Sequence, residues 1–582
     1  MKEVLYVDYS QVKKKFFKVI LDDCLIKNYQ KKSKTNLRGC FPNYFWDNVN
    51  IKNEDYKKVK RFIHIVFLHL VKKLEKYHNK KFNQKYWRVI LYPWLYTVIP
   101  NLYLRWRVTL NIEKKYSANI YKYKNEQFIS DNFYEINYDN NLDFNRWIIS
   151  KAIAYQNRIK YKEKKKTFHK KNKGEFFPSY HYFLIFLFKI LSKVFKTTIM
   201  INRIQLNKLN YIFLNLRLGQ FPFFWLNKPL KKVEKINIQK RRLIFLEKSK
   251  KINFKNFVKN ILVYITPKNY LENFTSINEH VQNSYWPKKT KLIMTAVSYW
   301  TDDFFKIWTA NQVLNNSKYI IFQHGGLMGT EKIHSGEDSQ IKTADKFITW
   351  GWKDKKQKRK VVPFYSILIS NLKKKYNYTK AKDIRFCQTS YPNYFAPIIG
   401  PITYTDKIYL TKKANEVFNN LNSSLKKEYV IRYLDTESEG NICHPAFINN
   451  KIRKDSGELK LTKILQEVRI FVHDLDSTAF LETLSYNVPT LVFLKKDYYK
   501  NRRKESRKHY LGLKKVKILH TDPISLSNFI NKNYYSIEKW WNNEKTQKAK
   551  NNFCKYYAKK TDKPVQSVIN LIKKIEEGKI VS

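Results

Sequence analysis

Beyond Lys291 the sequence alternates short apolar runs with amphipathic stretches, and this alternation restricts the chain to very few architectures. "KLIMTAV" (Lys291–Val297) reads as a buried strand, "TDDFFKIWTANQVLN" (Thr301–Asn315) as a helix with acidic residues in its first turn, and "KYIIFQ" (Lys318–Gln323) as the next strand. "DKFITWGW" (Asp345–Trp352) supplies a further short strand. Strand, helix, strand in that order predicts a parallel sheet with helices on its faces, because parallel neighbours are joined only through a crossover. A weakly patterned, lysine-rich stretch from Lys353 to about Lys382 precedes a second alternation. Its strand candidates are "IRFCQTS" (Ile384–Ser390), "EYVIRYL" (Glu428–Leu434), "VRIFVHD" (Val468–Asp474) and "VPTLVFL" (Val488–Leu494), with "STAFLETLSYN" (Ser477–Asn487) as a helix between the last two. The region before about Met200 reads as helical, and Ser536–Lys560 as one long terminal helix. The expected fold class is α/β: two Rossmann-like domains with a helical N-terminal region and C-terminal helices. The boundaries fall at 1–365, 366–535 and 536–582. Ligands of such sheets sit outside the carboxyl ends of the strands, which makes a cleft between the two halves the expected site.

A chain of 582 residues is too long for one core. Its formal charge, 113 Lys+Arg against 48 Asp+Glu, is +65 and points to nucleic acid or an anionic membrane as a partner. The basic residues are scattered in short clusters, and Lys, Asn, Ile, Tyr and Phe are abundant together, as A+T-rich coding favours, so solvated surface is the preferred account. Nucleic acid is therefore disfavoured. Cys24, Cys40, Cys387, Cys443 and Cys554 form no CxxC pair, which argues against a zinc ribbon or a disulfide framework and fits a reducing cytosol. The N-terminus lacks the pattern of a signal peptide. Two apolar segments, Trp87–Leu104 and Tyr180–Phe195, are interrupted by charges or prolines, and the second falls short of the roughly 20 residues a membrane span needs. Both are expected as buried helices, with peripheral contact with the inner membrane as the alternative, which gives a cytoplasmic location.

Chemistry concentrates in two places. "FQHGG" (Phe322–Gly326) places His324, Gly325 and Gly326 just past a parallel strand, in a chain with 13 glycines and 12 histidines. Glycines there let backbone N–H groups approach an anion, and histidine can exchange a proton near neutral pH, although glycines also end strands for steric reasons alone. The second place is Val468–Leu494. There Asp476 or Ser477 would cap a helix whose orphan N–H groups, with the Ser477 and Thr478 hydroxyls, form an anion site. Glu482 shares the Thr478 face one turn on and is too far along for a capping box. Arg432, inside a strand, requires an anion or a carboxylate, for which Asp435, Glu437 and Glu439 stand close in sequence. His444 and Pro445 are read as structural. Glu331, His334, Glu337 and Asp338 follow the glycines as general-base candidates. Trp350 and Trp352 are read as core. No HExxH, P-loop, GxSxG or GxGxxG is present, so metal, ATP-hydrolysing and nicotinamide chemistry have no sequence support.

"QHGGLMG" (Gln323–Gly329), "ADKFITWGW" (Ala344–Trp352), "DLDSTAFLETLSYNVPTLVFL" (Asp474–Leu494), "WWNNEKTQKAKNNFCKYYA" (Trp540–Ala558) and "YWRVILYPWLYTVIPNLYLRW" (Tyr86–Trp106) together resemble a family of surface-carbohydrate transferases named after a leptospiral open reading frame. More distantly, the pairing of an HG loop with a later S/T-rich turn is similar to capsule glycosyltransferases and teichoic-acid glycerophosphate polymerases of GT-B architecture. The resemblance implies a metal-independent GT-B-type glycosyltransferase with no cofactor. Its substrates would be a nucleotide-sugar donor, bound by the second half, and a glycan or lipid-linked acceptor on the side of the first. On the mechanism these residues suggest, His324, as base for the acceptor hydroxyl or donor to the leaving phosphate, and Glu331 are the expected catalytic residues, and Gly325, Gly326, Arg432, Ser477, Thr478 and Glu482 the expected donor and phosphate contacts. One departure stands out: "LD" (Leu475, Asp476) occupies the place of an Asn or Tyr-Asn, and puts a negative side chain beside the expected phosphate site. A polyanion-binding protein and an inactive scaffold of glycan assembly are the competing readings.

Overall fold

In the computed structural model the described residues are 4–6, 18–19, 45–124, 128–136, 141–166, 178–227, 236–247, 249, 251–371, 376, 381–389, 398, 400, 404–433 and 449–579. The readings of Asp435, Glu437, Glu439, His444 and Pro445 lie outside them, as do Cys24, Cys40 and Cys443.

Two parallel sheets organise the molecule, as the alternation requires. In the first lobe the strands β5 (Ile199–Asn202), β6 (Leu292–Thr295), β7 (Lys318–Phe322), β8 (Lys346–Thr349) and β9 (Val361–Pro363) lie side by side in chain order. With right-handed crossovers, winding in one direction puts the connecting helices on one face. Helices α5 (Asp303–Leu314) and α6 (Ser335–Thr343) occupy that face, backed by the long helix α2 (Gln84–Leu110). The other face is covered by α4 (Lys208–Arg217) and by the C-terminal helix α12 (Pro564–Glu576), whose Val568, Leu571 and Ile572 pack on Ile201, Met294 and Ile320. The chain thus returns to the first lobe after completing the second.

The second sheet has the order β12-β11-β10-β13-β14-β15, formed by Arg453–Asp455, Tyr429–Arg432, Asp383–Cys387, Val468–His473, Thr490–Phe493 and Leu519–His520. The chain winds outward from β10 to β12, then jumps back to β13 and winds the other way. This is the 3-2-1-4-5-6 order of a doubly wound sheet, and its reversal lies between β10 and β13. Helix α8 (Thr478–Ser485) joins β13 to β14. One apolar cluster continues from α2 through Phe305 and Trp350 to Phe480, Leu484 and Phe553, so the lobes share a core.

Three features depart from the sequence reading. The N-terminal region holds a further parallel sheet, β2-β1-β3-β4 (Lys18–Val19, Val4–Tyr6, Ser117–Lys122, Tyr161–Lys165). Its strand β4 is exposed along its whole length, so no apolar alternation announces it. The terminal helix is broken into α10 (Ile537–Trp541) and α11 (Glu544–Tyr557), because the Asn543 side chain accepts from Lys545 N at 3.0 Å and starts a new helix. The apolar segment Tyr180–Phe195 forms helix α3 (Ser179–Val194) but is not buried along one side. Helix α2, by contrast, is buried as expected in spite of two internal prolines. Pro100 has no N–H for the Tyr96 carbonyl one turn back, and the Ser335 hydroxyl supplies the missing donor at 2.6 Å.

Candidate active site

The loop after β7 is held by one buried amide. Gln323 donates through Nε2 to the Gly325 carbonyl (2.7 Å), while its Oε1 accepts from Trp350 N (3.1 Å) and from the Trp352 indole (2.8 Å). Both tryptophans are core residues, as read from the sequence. The glycines serve close approach. A Cβ on Gly326 would lie 2.7 Å from Thr478 N and 2.8 Å from the Ser477 carbonyl carbon, and one on Gly329 would lie 2.3 Å from the Trp352 ring. The Gly326 N–H donates to Thr478 Oγ1 at 2.9 Å. The HGG loop of one lobe therefore rests directly on the first turn of α8 in the other.

Ser477 is the N-cap of α8 in extended conformation, and no side chain caps the helix. Asp476 is turned inward. Its carboxylate takes a bidentate pair from Arg502 (Nη1 to Oδ2 2.9 Å, Nη2 to Oδ1 2.6 Å) and a hydrogen bond from the Tyr510 hydroxyl. The negative charge that disturbed the sequence reading is thus neutralised away from the helix terminus. Arg502 also donates to Thr330 Oγ1 (3.1 Å) and forms an ion pair with Glu331. Burial pushes the Glu331 carboxyl upward, against the pull of Arg502. Next to it, Arg503 donates to the Glu331 carbonyl (2.8 Å) and to Glu337, whose other oxygen accepts from Gly329 N at 2.7 Å. Glu331, expected to be catalytic, is 1% exposed and paired with Arg502, at the wall of a pocket.

This small pocket of about 70 Å³, open to solvent, lies at the carboxyl ends of β13 and β14. Asp474, Leu475, Leu494 and Lys495 line it from the second lobe, Trp46 and Glu331 from the first. Asp474 Oδ1 accepts from Thr389 N (2.9 Å) and Oγ1 (2.6 Å), which ties the end of β13 to that of β10 across the strand-order reversal. Lys495 pairs with Asp406 at 2.9 Å. Lys52, on α1 (Val49–His78), is buried nearby. Burial lowers its ammonium to about 8, with Asp406 and Glu331 opposing.

The remaining expected residues fall in different settings. The His324 ring has its Nδ1 shielded from solvent with no hydrogen-bond partner among the described residues, and burial lowers its pKa, with Gln340 opposing. Glu482 is half-buried. No hydrogen bond or ion pair engages its carboxylate among the described residues, and burial raises it to about 7. Arg432 is spoken for: it donates to Asp455 (2.7 Å) and to the Gly457 and Leu459 carbonyls, so the carboxylate that answers it is Asp455. Arg502, Arg503, Tyr510, Gln323 and Lys495 were missed. "NRRKESRKHY" reads as solvated basic surface, and only the buried acid at Asp476 signals that some cation must come to it.

Two parallel sheets, one of them doubly wound, with a pocket at the carboxyl ends of β13 and β14 and a glycine loop of the first lobe resting on the α8 terminus of the second, define a two-lobed α/β protein. This chain belongs to the LIC12162 family: the profile described as LIC12162 family transferase matches residues 11–572. Among solved structures, Staphylococcus aureus MnaA in a co-structure with UDP is similar at 10% identity, covering 52% of this chain and 78% of that one, with a TM-score of 0.29. A Listeria monocytogenes protein described as a UDP-N-acetylglucosamine 2-epimerase shows the same identity and coverages, with a TM-score of 0.31. No curated protein matches the sequence.

Proposed function

We propose that this family member is a glycosyltransferase, or a related group transferase, that uses a nucleotide-activated sugar in bacterial surface-polysaccharide assembly, acting in the cytoplasm on a glycan or lipid-linked acceptor. The observation that carries the reading is the doubly wound order of the second sheet, with a pocket at the carboxyl ends of β13 and β14 that reaches Asp474 and Leu475, just before the α8 terminus. In this reading the donor lies along the carboxyl ends of β13 and β14. The uncapped α8 N-terminus and the Ser477 hydroxyl meet its phosphate without a metal ion, because orphan N–H groups and the helix dipole favour negative charge. Thr478 keeps its hydroxyl proton to donate, since its oxygen already accepts from Gly326. The Glu482 carboxylate accepts from the ribose hydroxyls. His324 is the base for the acceptor hydroxyl or the donor to the leaving phosphate, and burial, which lowers its pKa, keeps the imidazole neutral at pH 7 and suits it to the first role.

Donor affinity is expected to depend on pH through Glu482. Its folded-state pKa is raised, so its contribution to stability is present at low pH and is lost as pH rises through about 7. Hydroxyl donors prefer the ionised carboxylate, so affinity should increase across the same range and become flat in Glu482→Gln. Calorimetric titration of CMP-, UDP-, GDP- and CDP-linked sugars checks this, and a profile identical in both proteins would remove Glu482 from the site. His324→Ala should retain donor binding and lose turnover by about 100-fold or more. Transfer at the wild-type rate by a folded His324→Ala protein would overturn the base assignment, and binding of none of these donors would overturn the transferase reading.

A further inference from the structure

Helix α3 presents to solvent a face that soluble proteins normally bury. Phe183, Phe186, Ile190 and Val194 follow one another at three- and four-residue spacing and so form one stripe, and they are 64, 63, 49 and 73% exposed. Ile185 and Phe188, on the opposite side, are buried. Helix α4 repeats the pattern: Leu209, Phe213 and Leu216 are each more than half exposed while Leu214 packs inward. Aromatic rings from before and after α4 pack beside the two helices. Phe195 and Phe221 have ring centroids 5.1 Å apart, Phe221 and Phe223 4.8 Å, and Phe224 lies 5.6 Å from Tyr211 of α4. An apolar surface of this extent marks an interaction site.

Charge identifies the partner. Residues 178–227 contain Lys189, Lys193, Lys196, Arg203, Lys208 and Arg217 and no Asp or Glu. Lys189 and Lys193 are exposed and, at helical spacing, border the α3 stripe. Their aliphatic stems can lie along the apolar face while their ammonium groups reach outward. An apolar band whose own segment carries cations and no acid fits a lipid surface, whose acyl boundary takes the side chains and whose phosphates take the lysines. It does not fit a second copy of this chain, because a two-fold contact would bring the same lysines face to face.

We propose that the exposed faces of α3 and α4, with Phe224, seat the protein in the interface of an anionic bilayer without crossing it. No helix among the described residues is long and apolar enough to span a membrane. The proposal stands independently of the transferase reading.

Sedimentation of the full chain with vesicles tests it. The protein should pellet with phosphatidylcholine–phosphatidylglycerol vesicles, much less with pure phosphatidylcholine, and less as salt is raised. A Phe183→Ser/Phe186→Ser/Ile190→Ser chain should lose binding about tenfold or more while keeping its far-ultraviolet circular dichroism. Lys189→Glu/Lys193→Glu leaves the apolar stripe intact, cannot disturb the core, and should weaken binding to the anionic vesicles only. Failure of the wild type to pellet with anionic vesicles would overturn the proposal, as would unchanged pelleting of the lysine variant. Loss of self-association, without any loss of vesicle binding, in the serine variant would assign the face to a second copy instead.

Discussion

Arg502→Met is expected to destabilise the protein by about 3–5 kcal/mol, the usual cost of stripping the counter-charge from buried carboxylates. The Arg502 side chain is 3% exposed and binds Asp476 from its own lobe, and Glu331 and Thr330 from the other. Methionine fills much of the volume, so what is lost is charge and hydrogen bonds. Two buried acids are then left facing each other without a cation. The Glu331 carboxyl, already raised by burial, would lose the opposing pull of Arg502, and a raised folded-state pKa gives stability at low pH that disappears as pH rises. The deficit should therefore be largest at pH 8 and shrink toward pH 5. Adding Glu331→Gln and Asp476→Asn should recover part of the loss even at pH 8, because it removes the orphaned charges along with their partner. Urea unfolding followed by tryptophan fluorescence measures all three proteins. A deficit that is the same at every pH, or no recovery in the combined variant, would show that the network holds the lobes by shape and not by charge.

The same network shows why half of the site could be read from the sequence and half could not. Strands β6, β7, β13 and β14 are short, almost wholly buried runs bounded by polar turns, so their positions were legible, and with them the loops at their carboxyl ends. His324, Gly325, Gly326, Ser477 and Thr478 follow from that placement, and the structure brings the two loops into contact. What local pattern cannot express is which distant residue satisfies a buried charge. Arg432 had neighbours in sequence able to pair with it, but its partner, Asp455, comes from the adjacent strand β12, in parallel register with β11. Asp476 looked like a helix cap because it precedes one. Its partners Arg502 and Tyr510 lie 26 and 34 residues further on, in a stretch whose lysines, Lys504 and Lys508, are exposed. The exposed side of α3 was illegible for the opposite reason, since apolar periodicity states that a face is hydrophobic and not what covers it.

Gly326→Ala is expected to force the lobes apart locally and to lower stability by about 1–3 kcal/mol. Gly326 does not have the positive φ that favours glycine, so alanine suits its backbone and the whole effect is steric. The added Cβ would meet main-chain atoms of Ser477 and Thr478 at 2.8 and 2.7 Å, and the first turn of a packed helix cannot rotate away as a side-chain tip could. Gly325→Ala is the internal control. Its Cβ would meet only the Thr478 hydroxyl oxygen, at 3.4 Å, so that variant should stay within about 0.5 kcal/mol of the wild type. Thr478→Val separates contact from hydrogen bonding, since it keeps the shape but deprives the Gly326 N–H of its acceptor, at a cost of about 1–3 kcal/mol for a buried donor left unpaired. If the glycine serves the approach of the second lobe, Gly326→Ala alone should raise the radius of gyration in solution scattering and weaken donor binding, while Thr478→Val keeps the closed dimensions. If the glycine serves only to bare its N–H to a phosphate, Gly326→Ala should leave both the dimensions and the unliganded stability unchanged.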